Sequence, residues 1–335
     1  MPLYCPSPIF IIGCLRTGKT LTASILNKHP DIFIQYELNL FHFLYRHWFA
    51  LTRKREGRSP KQIFIDITCH YLKYKNIKAG ISRRDIANMI NELADESWGS
   101  LLDAYMRLLM LREKPIAKRW GEKSPVHSGS LEHIQKSFPE AQFIYCYRDP
   151  RDAVASMVLK EYNVATNDIF FGSAIYNQIV EQYNMQKSRI NSCKIYELCY
   201  EKLVSNSQEV IEQVCDFLNV PYMPSLLLPA DDKIRLIIGW ETSDAWEEIT
   251  HQEPPKGPFH DRIIETITEK WLLYYQYPLK RRPFKGFYRI ICFFYLIPFF
   301  VLYSFFNFLW HLKYPEFVFY LSKMPDIKHL AFSGA

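Results

Sequence analysis

Apolar residues in this chain come in short continuous runs separated by longer amphipathic stretches. Residues 8 to 12 (Pro-Ile-Phe-Ile-Ile) are β-branched and aromatic and run into a glycine turn, which predicts a buried strand. Gly13 to Gly18 forms that turn. Thr20 to Lys28 carries Leu21 and Ile25 on one face and predicts a helix. His29-Pro30-Asp31 ends it, because proline disfavours helical geometry in the residue before it. Residues 37 to 115 are predicted to be largely helical, broken by the polar stretch Arg53 to Lys61. A short strand is expected at Ile116 to Arg119, then a turn from Gly121 to Pro125 and a helix from Leu131 to Phe138. Gln142 to Tyr147 (Gln-Phe-Ile-Tyr-Cys-Tyr) predicts a second buried strand. Asp149 to Leu159 reads as a helix with acids in its first turn, where they complement the helix dipole. Lys194 to Leu198 predicts a third strand, and Gln208 to Leu218 a helix ending at Asn219 before Pro221. Strands alternating with helices predict an α/β fold, a parallel β-sheet flanked by helices.

The pattern changes near the C-terminus. Lys280, Arg281, Arg282 and Lys285 precede Ile290 to Trp310, a run of about 21 uncharged residues, long enough to cross a bilayer as a helix. Two parts are therefore expected: a domain over 1–282 and a hydrophobic aromatic helical tail over 283–335 that anchors to a membrane, chiefly through 286–310. Positive charge ahead of the run favours a domain facing the cytoplasm. Pro298 would kink a spanning helix, so an interfacial anchor is a second reading. A buried or dimer-forming helix is a third, and the oligomeric state stays open.

Composition narrows the function. Hydrophobic residues make up 48% of the chain and charged residues 23%, which excludes general disorder. A net charge of +6 suits an anionic substrate or surface. Without a basic stripe or zinc-ligand spacing it does not point to nucleic acid. The 8 cysteines form no C-x-x-C pair and suit a reducing compartment. No basic segment precedes the first apolar run, so a signal peptide is not expected there.

Gly13-Cys-Leu-Arg-Thr-Gly-Lys-Thr20 satisfies the pattern G-x-x-x-x-G-K-[ST] between a strand and a helix. Such a loop turns backbone N–H groups inward, and the helix N-terminus adds positive potential for a phosphate. A nucleotide triphosphatase would also place an acid after a later strand to hold magnesium. Here Tyr147 is followed by Arg148, the opposite charge. Arg148 can fork onto an anionic oxygen. Ser156 lies about two turns further along the helix and can face the same ligand.

Taken in order, these segments resemble the sulfotransferase superfamily, over nearly everything from Pro8 to about Trp271. Ile11-Ile12-Gly13 with Arg16, Thr17, Gly18 and Thr20 is similar to that family's 5′-phosphosulfate loop. Arg148 and Ser156 resemble its 3′-phosphate motif. Tyr200-Glu201-Lys202-Leu203 and Asp216 to Pro221 resemble the segment beside the adenine, and Phe138-Pro139-Glu140-Ala141 also fits. The resemblance extends to the group that includes protein-tyrosine and bacterial sulfotransferases. It implies a P-loop-like sulfotransferase fold and 3′-phosphoadenosine 5′-phosphosulfate (PAPS) as donor, with an acceptor hydroxyl and no metal. Lys19 departs from the family, which usually has threonine there. A P-loop kinase using Lys19, or a non-catalytic membrane-tethered nucleotide-binding module, is the alternative.

The resemblance implies donor contacts from Gly13, Arg16, Thr17, Gly18, Thr20, Arg148, Ser156 and Tyr200; Lys19, the departure, is expected to add a further charge to the phosphosulfate. Sulfuryl transfer needs positioning and cations on the leaving phosphate. Arg16 is the first candidate. Lys123, in Gly121-Glu-Lys-Ser-Pro125, is the second. Glu37 is the candidate general base, expected to be partly desolvated by the apolar stretch Leu38 to Phe43, with His127 as a fallback. Lys270 is a further possible donor contact. Aromatic and basic residues between Tyr36 and Trp120 suit a carbohydrate, lipid-linked or phenolic acceptor.

Overall fold

The first apolar run forms β1 (Ile9–Gly13), which lies at the centre of a five-stranded sheet. The structure is a computed structural model that describes residues 7–54, 57–75, 80–159, 168–228 and 258–280. The sheet also contains β2 (Ile32–Tyr36), β3 (Arg119–Lys123), β4 (Gln142–Tyr147) and β5 (Ile195–Cys199). The order is β2-β3-β1-β4-β5, and every pairing is parallel. Parallel strands need crossovers, and helices supply them.

The period-two alternation of β1 divides the core. Phe10 and Ile12 point to one face, where α2 (Leu40–Lys54), α3 (Pro60–Tyr74), α4 (Arg83–Asn91), α5 (Trp98–Glu113) and α6 (Leu131–Ser137) pack. On that face Phe10 meets Trp120 edge to face at 5.9 Å. Ile9 and Ile11 point to the other face, against α1 (Lys19–Asn27) and α10 (Ser207–Leu218), with α9 (Tyr200–Ser205) alongside. A third cluster joins α7 (Pro150–Leu159), α8 (Ile169–Lys187) and α11 (Pro258–Tyr274) through Val154, Tyr176, Ile264 and Trp271.

The expected α/β architecture is therefore present, with several differences, helices α9 and α11 among the unpredicted elements. Ile32 to Tyr36 is a strand that was not anticipated; five residues between a helix end and an apolar helix carry too little period to stand out. The strand expected at Ile116 to Arg119 lies instead at Arg119 to Lys123, and Ile116 is exposed. Gly121 is thus a strand residue, not a turn residue. A Cβ there would meet the Ile9 carbonyl oxygen at 2.6 Å, so the side chain is absent because β1 passes too close for one. Helix α8 was also unforeseen, although Tyr176, Val180 and Tyr183 are buried at helical spacing.

Among the described residues no helix is long and apolar enough to cross a membrane. The anchor expected at 286–310 lies outside the described residues.

Candidate active site

Each strand of a parallel sheet delivers its following loop to the same edge, and open α/β sheets bind ligands outside the carboxyl ends of their strands. Four such ends converge here: the loop after β1, the turn after β2, the last residue of β3 and the start of α7 after β4.

The loop after β1 turns on Gly18, whose φ of 86° places it in the left-handed region. Gly18 precedes α1, which has no side-chain N-cap and no acid in its first turn. The first N–H groups of α1 are left for an anion. A Cβ on Gly18 would come within 2.4 Å of the Tyr200 ring, so α9 closes over the loop. Gly18→Ala is expected to destabilise the fold by about 1–3 kcal/mol, because it adds both a clash and an unfavourable φ; denaturant unfolding checks this.

Inside the loop, Thr17 Oγ1 donates to the Cys14 carbonyl oxygen at 2.8 Å, and Lys19 Nζ donates to the same oxygen. Thr17 and Lys19 are buried, whereas Thr20 is exposed. Burial pulls the Lys19 ammonium down to about 8, and Lys123 nearby pushes in the same direction. Arg16 has a φ of 61° and reaches away from the loop: its Nε donates to Ser156 Oγ on α7 at 2.8 Å. Arg148 reaches back, donating from Nη1 to the Arg16 carbonyl oxygen at 3.3 Å. Its guanidinium carbon sits 4.3 Å from the centre of the Tyr200 ring. Arg148 Nε is buried and has no hydrogen-bond partner among the described residues. The two anion-binding segments expected from the sequence are thus in contact.

The base of α7 is fixed by buried charge. Asp149 accepts from Arg151, Arg151 Nη1 donates to Glu265 on α11 at 2.5 Å, and the Asp149 amide donates to Glu201 on α9. Asp149 thereby serves Arg151. Among the described residues no group of three His, Cys, Asp or Glu side chains is placed to hold a metal ion.

On the other side of β1, Lys123 ends β3 with its side chain 6% exposed, and its Nζ donates to Glu37 Oε1 at 2.5 Å. The Lys123 ammonium also lies 5.1 Å from the Tyr36 ring centre. Lys123 is therefore held at a strand end, where a turn was expected. Glu37 differs from expectation in another way: its side chain is 46% exposed, so the apolar stretch after it does not desolvate it. Leu38, Leu40 and Phe41 turn into the core instead, leaving Glu37 at the mouth. His127 is fully buried and bonds through Nε2 to Glu122 Oε2 at 2.9 Å, which removes it from the surface as a base. Lys270 is likewise engaged elsewhere, pairing with Glu181 at 2.8 Å on an exposed face. Glu122, Asn39 and Ser124, which hold this corner together, were not singled out from the sequence. The segment of Glu122 and Ser124 reads as a turn in the sequence, so the burial of Glu122 shows only once β3 is seen to run through it.

Fold and loop together define an α/β protein with an uncapped helix N-terminus and two arginines, Arg16 and Arg148, at the carboxyl edge of its sheet. A family model described as the sulfotransferase family matches residues 8–224. The chain belongs to that family, a family of transferases. Protein-tyrosine sulfotransferase 1 of Danio rerio is 25% identical over 225 residues, covering 65% of this chain and 55% of that protein. The Homo sapiens protein of the same name is 25% identical over 222 residues, covering 65% and 53%. The chain thus spans about half the length of these curated relatives. The sulfotransferase domain of the Synechococcus PCC 7002 olefin synthase shares the fold, with a TM-score of 0.51 at 19% identity over 82% of this chain and 97% of that domain.

Proposed function

We propose that this chain transfers a sulfuryl group from PAPS to an acceptor hydroxyl. The observation that carries the reading is the contact between the two anion-binding segments. Arg16 from the first loop bonds Ser156 on α7, and Arg148 bonds back to Arg16. A ligand with anionic groups at both ends of one nucleoside would occupy both segments together. The orphaned Arg148 Nε supports this, since a buried guanidinium N–H without a partner is costly unless a ligand supplies one.

The residues then divide the work. The Gly13–Thr20 loop and the start of α1 hold the 5′ end, with Arg16 and Lys19 offering cations. Arg148 and Ser156 hold the 3′-phosphate, and Tyr200 borders the base. PAPS supplies an activated sulfuryl group whose leaving phosphate gathers negative charge. Lys123 and Arg16 stabilise that charge. Glu37, at the mouth, takes the acceptor's proton. The acceptor is a carbohydrate, lipid-linked or phenolic hydroxyl, and relatives named for protein-tyrosine sulfation give weight to the phenolic class. The kinase alternative is not favoured: Arg148 stands where a magnesium-binding acid would follow the strand, and Asp149 is occupied by Arg151.

Titration calorimetry with adenosine 3′,5′-bisphosphate (PAP) tests the donor. PAP is expected to bind tightly without added metal, and ATP with magnesium more weakly. Lys19 adds a pH signature. Its value in the folded protein lies below that of the unfolded chain, so its burial costs stability at neutral pH and less as the pH rises beyond about 8. A bound phosphate favours the charged form. Binding at pH 8.5–9 is therefore expected to take up a proton, seen as a dependence of the heat on buffer ionisation, and Lys19→Met is expected to abolish it. Preference for ATP with magnesium would overturn the assignment.

A further inference from the structure

The turn that carries Glu37 is unusual. Glu37 has a φ of 45° and Asn39 a φ of 56°, so two non-glycine residues lie in the left-handed region within three positions. A left-handed conformation is disfavoured for such residues, for glutamate more than for asparagine, and persists where the surroundings over-determine it. The surroundings here do so. The Glu37 amide donates to the Lys123 carbonyl oxygen at 3.0 Å, continuing the ladder past the end of β2. The Asn39 side chain donates through Nδ2 to the Glu37 carbonyl oxygen at 3.0 Å and accepts from Ser124 Oγ. Tyr71 Oη donates to the Leu38 carbonyl oxygen at 3.0 Å.

One group beneath the turn is a carboxylate. Glu122, 1% exposed, accepts the Asn39 backbone N–H on Oε1 at 2.5 Å and bonds His127 Nε2 through Oε2 at 2.9 Å. His127 is wedged edge-on against Phe10 and Phe41, at 5.7 Å and 6.5 Å between ring centres. It cannot swing without displacing the core. A buried carboxylate is expensive and is retained where it fixes something. Because side chains alternate along a strand, Glu122 points into the helical core while Lys123 points to the site. Neighbouring residues of β3 thus hold the turn at two points: Lys123 bonds the carboxylate and the amide of Glu37, and Glu122 bonds the Asn39 amide two residues further on.

We propose that Glu122, clamped by His127, is a positioning residue for Glu37: it holds the Glu37–Asn39 turn in its strained conformation and so aims the base at the acceptor. This rests on the assignment of Glu37 as base. Neither Glu122 nor His127 touches the reacting groups.

The test compares Glu122→Gln, Glu37→Gln and the double variant. Glutamine is isosteric and keeps an oxygen for Asn39, but loses the charge-assisted bond. Turnover is read as PAP released from PAPS, with phenol as the acceptor probe and with water alone. PAP affinity is measured alongside. Glu122→Gln is expected to lower kcat about tenfold while leaving PAP affinity within twofold. In the Glu37→Gln background it is expected to add almost nothing, since a residue acting through another loses its effect when that other is gone. Amide exchange at residues 37–39 is expected to quicken in Glu122→Gln while the amides of β1 stay protected. Unchanged kcat in Glu122→Gln, or losses that multiply in the double variant, would overturn the positioning role. If Glu37→Gln itself retained full turnover, the base assignment would fail instead, and the single variants tell the two failures apart.

Discussion

Arg148→Ala is expected to weaken PAP binding by about 100-fold while leaving the fold intact. A hydrogen bond to a charged group contributes about 1.5–3 kcal/mol, and a forked guanidinium can make two. Within the described protein Arg148 does little structural work. It makes one long bond to the Arg16 carbonyl oxygen and lies against Tyr200, so alanine removes ligand contacts more than packing. Arg148→Lys should recover only part of the loss, because an ammonium keeps the charge and loses both the fork and the flat face that stacks on Tyr200. Calorimetry in the absence of metal reads both variants. Affinity within threefold of wild type for Arg148→Ala would mean that the 3′ end of the donor lies elsewhere.

Glu37→Gln is expected to reduce turnover about 100- to 1000-fold and to leave PAP affinity nearly unchanged. General base catalysis commonly contributes 10²–10⁴-fold. Glutamine fits the same space but cannot accept the acceptor's proton. It can still accept a hydrogen bond from Lys123, so the cation should stay in place. Lys123→Ala should behave differently. It removes a cation from the leaving group and also frees Glu37, so turnover falls at least as far and some donor affinity goes with it. Separate measurements of kcat and PAP affinity on the two variants distinguish proton removal from charge stabilisation. Equal losses of both quantities in Glu37→Gln would reduce Glu37 to a ligand-binding role.

Much of this arrangement was legible in the chain because it rests on local signals. The β1 and β4 runs are apolar enough to be recognised unaided, and Asn219 closes α10 in the left-handed conformation expected of such a residue. Most of the residues proposed for the donor lie in two segments whose spacing matches known patterns, and Tyr200 opens a third. What stayed hidden depends on tertiary contact. Gly121 reads as a turn until β1 is seen pressing on it. Glu37 reads as partly buried because the residues after it are apolar, yet their side chains turn inward and leave it outside. His127 reads as a loop histidine, and only the partnership with Glu122 explains its burial. Lys19 reads as a phosphate ligand, but its bond to the Cys14 carbonyl oxygen depends on the path of the loop.

The buried pairing of Arg151 with Glu265 has a consequence for where the working unit ends. The family match stops at residue 224, yet the second of the two carboxylates that pair with Arg151, Glu265, comes from α11, well past that point. Severing the chain at the edge of the recognisable motif would leave Arg151 with Asp149 alone and strip the packing of Ile264 and Trp271 from the cluster that seats the helix bearing Ser156. A helix beyond the matched segment is thus braced against the part that carries the match, and a truncated protein tested for donor binding would report on a broken foundation instead of the intact chain.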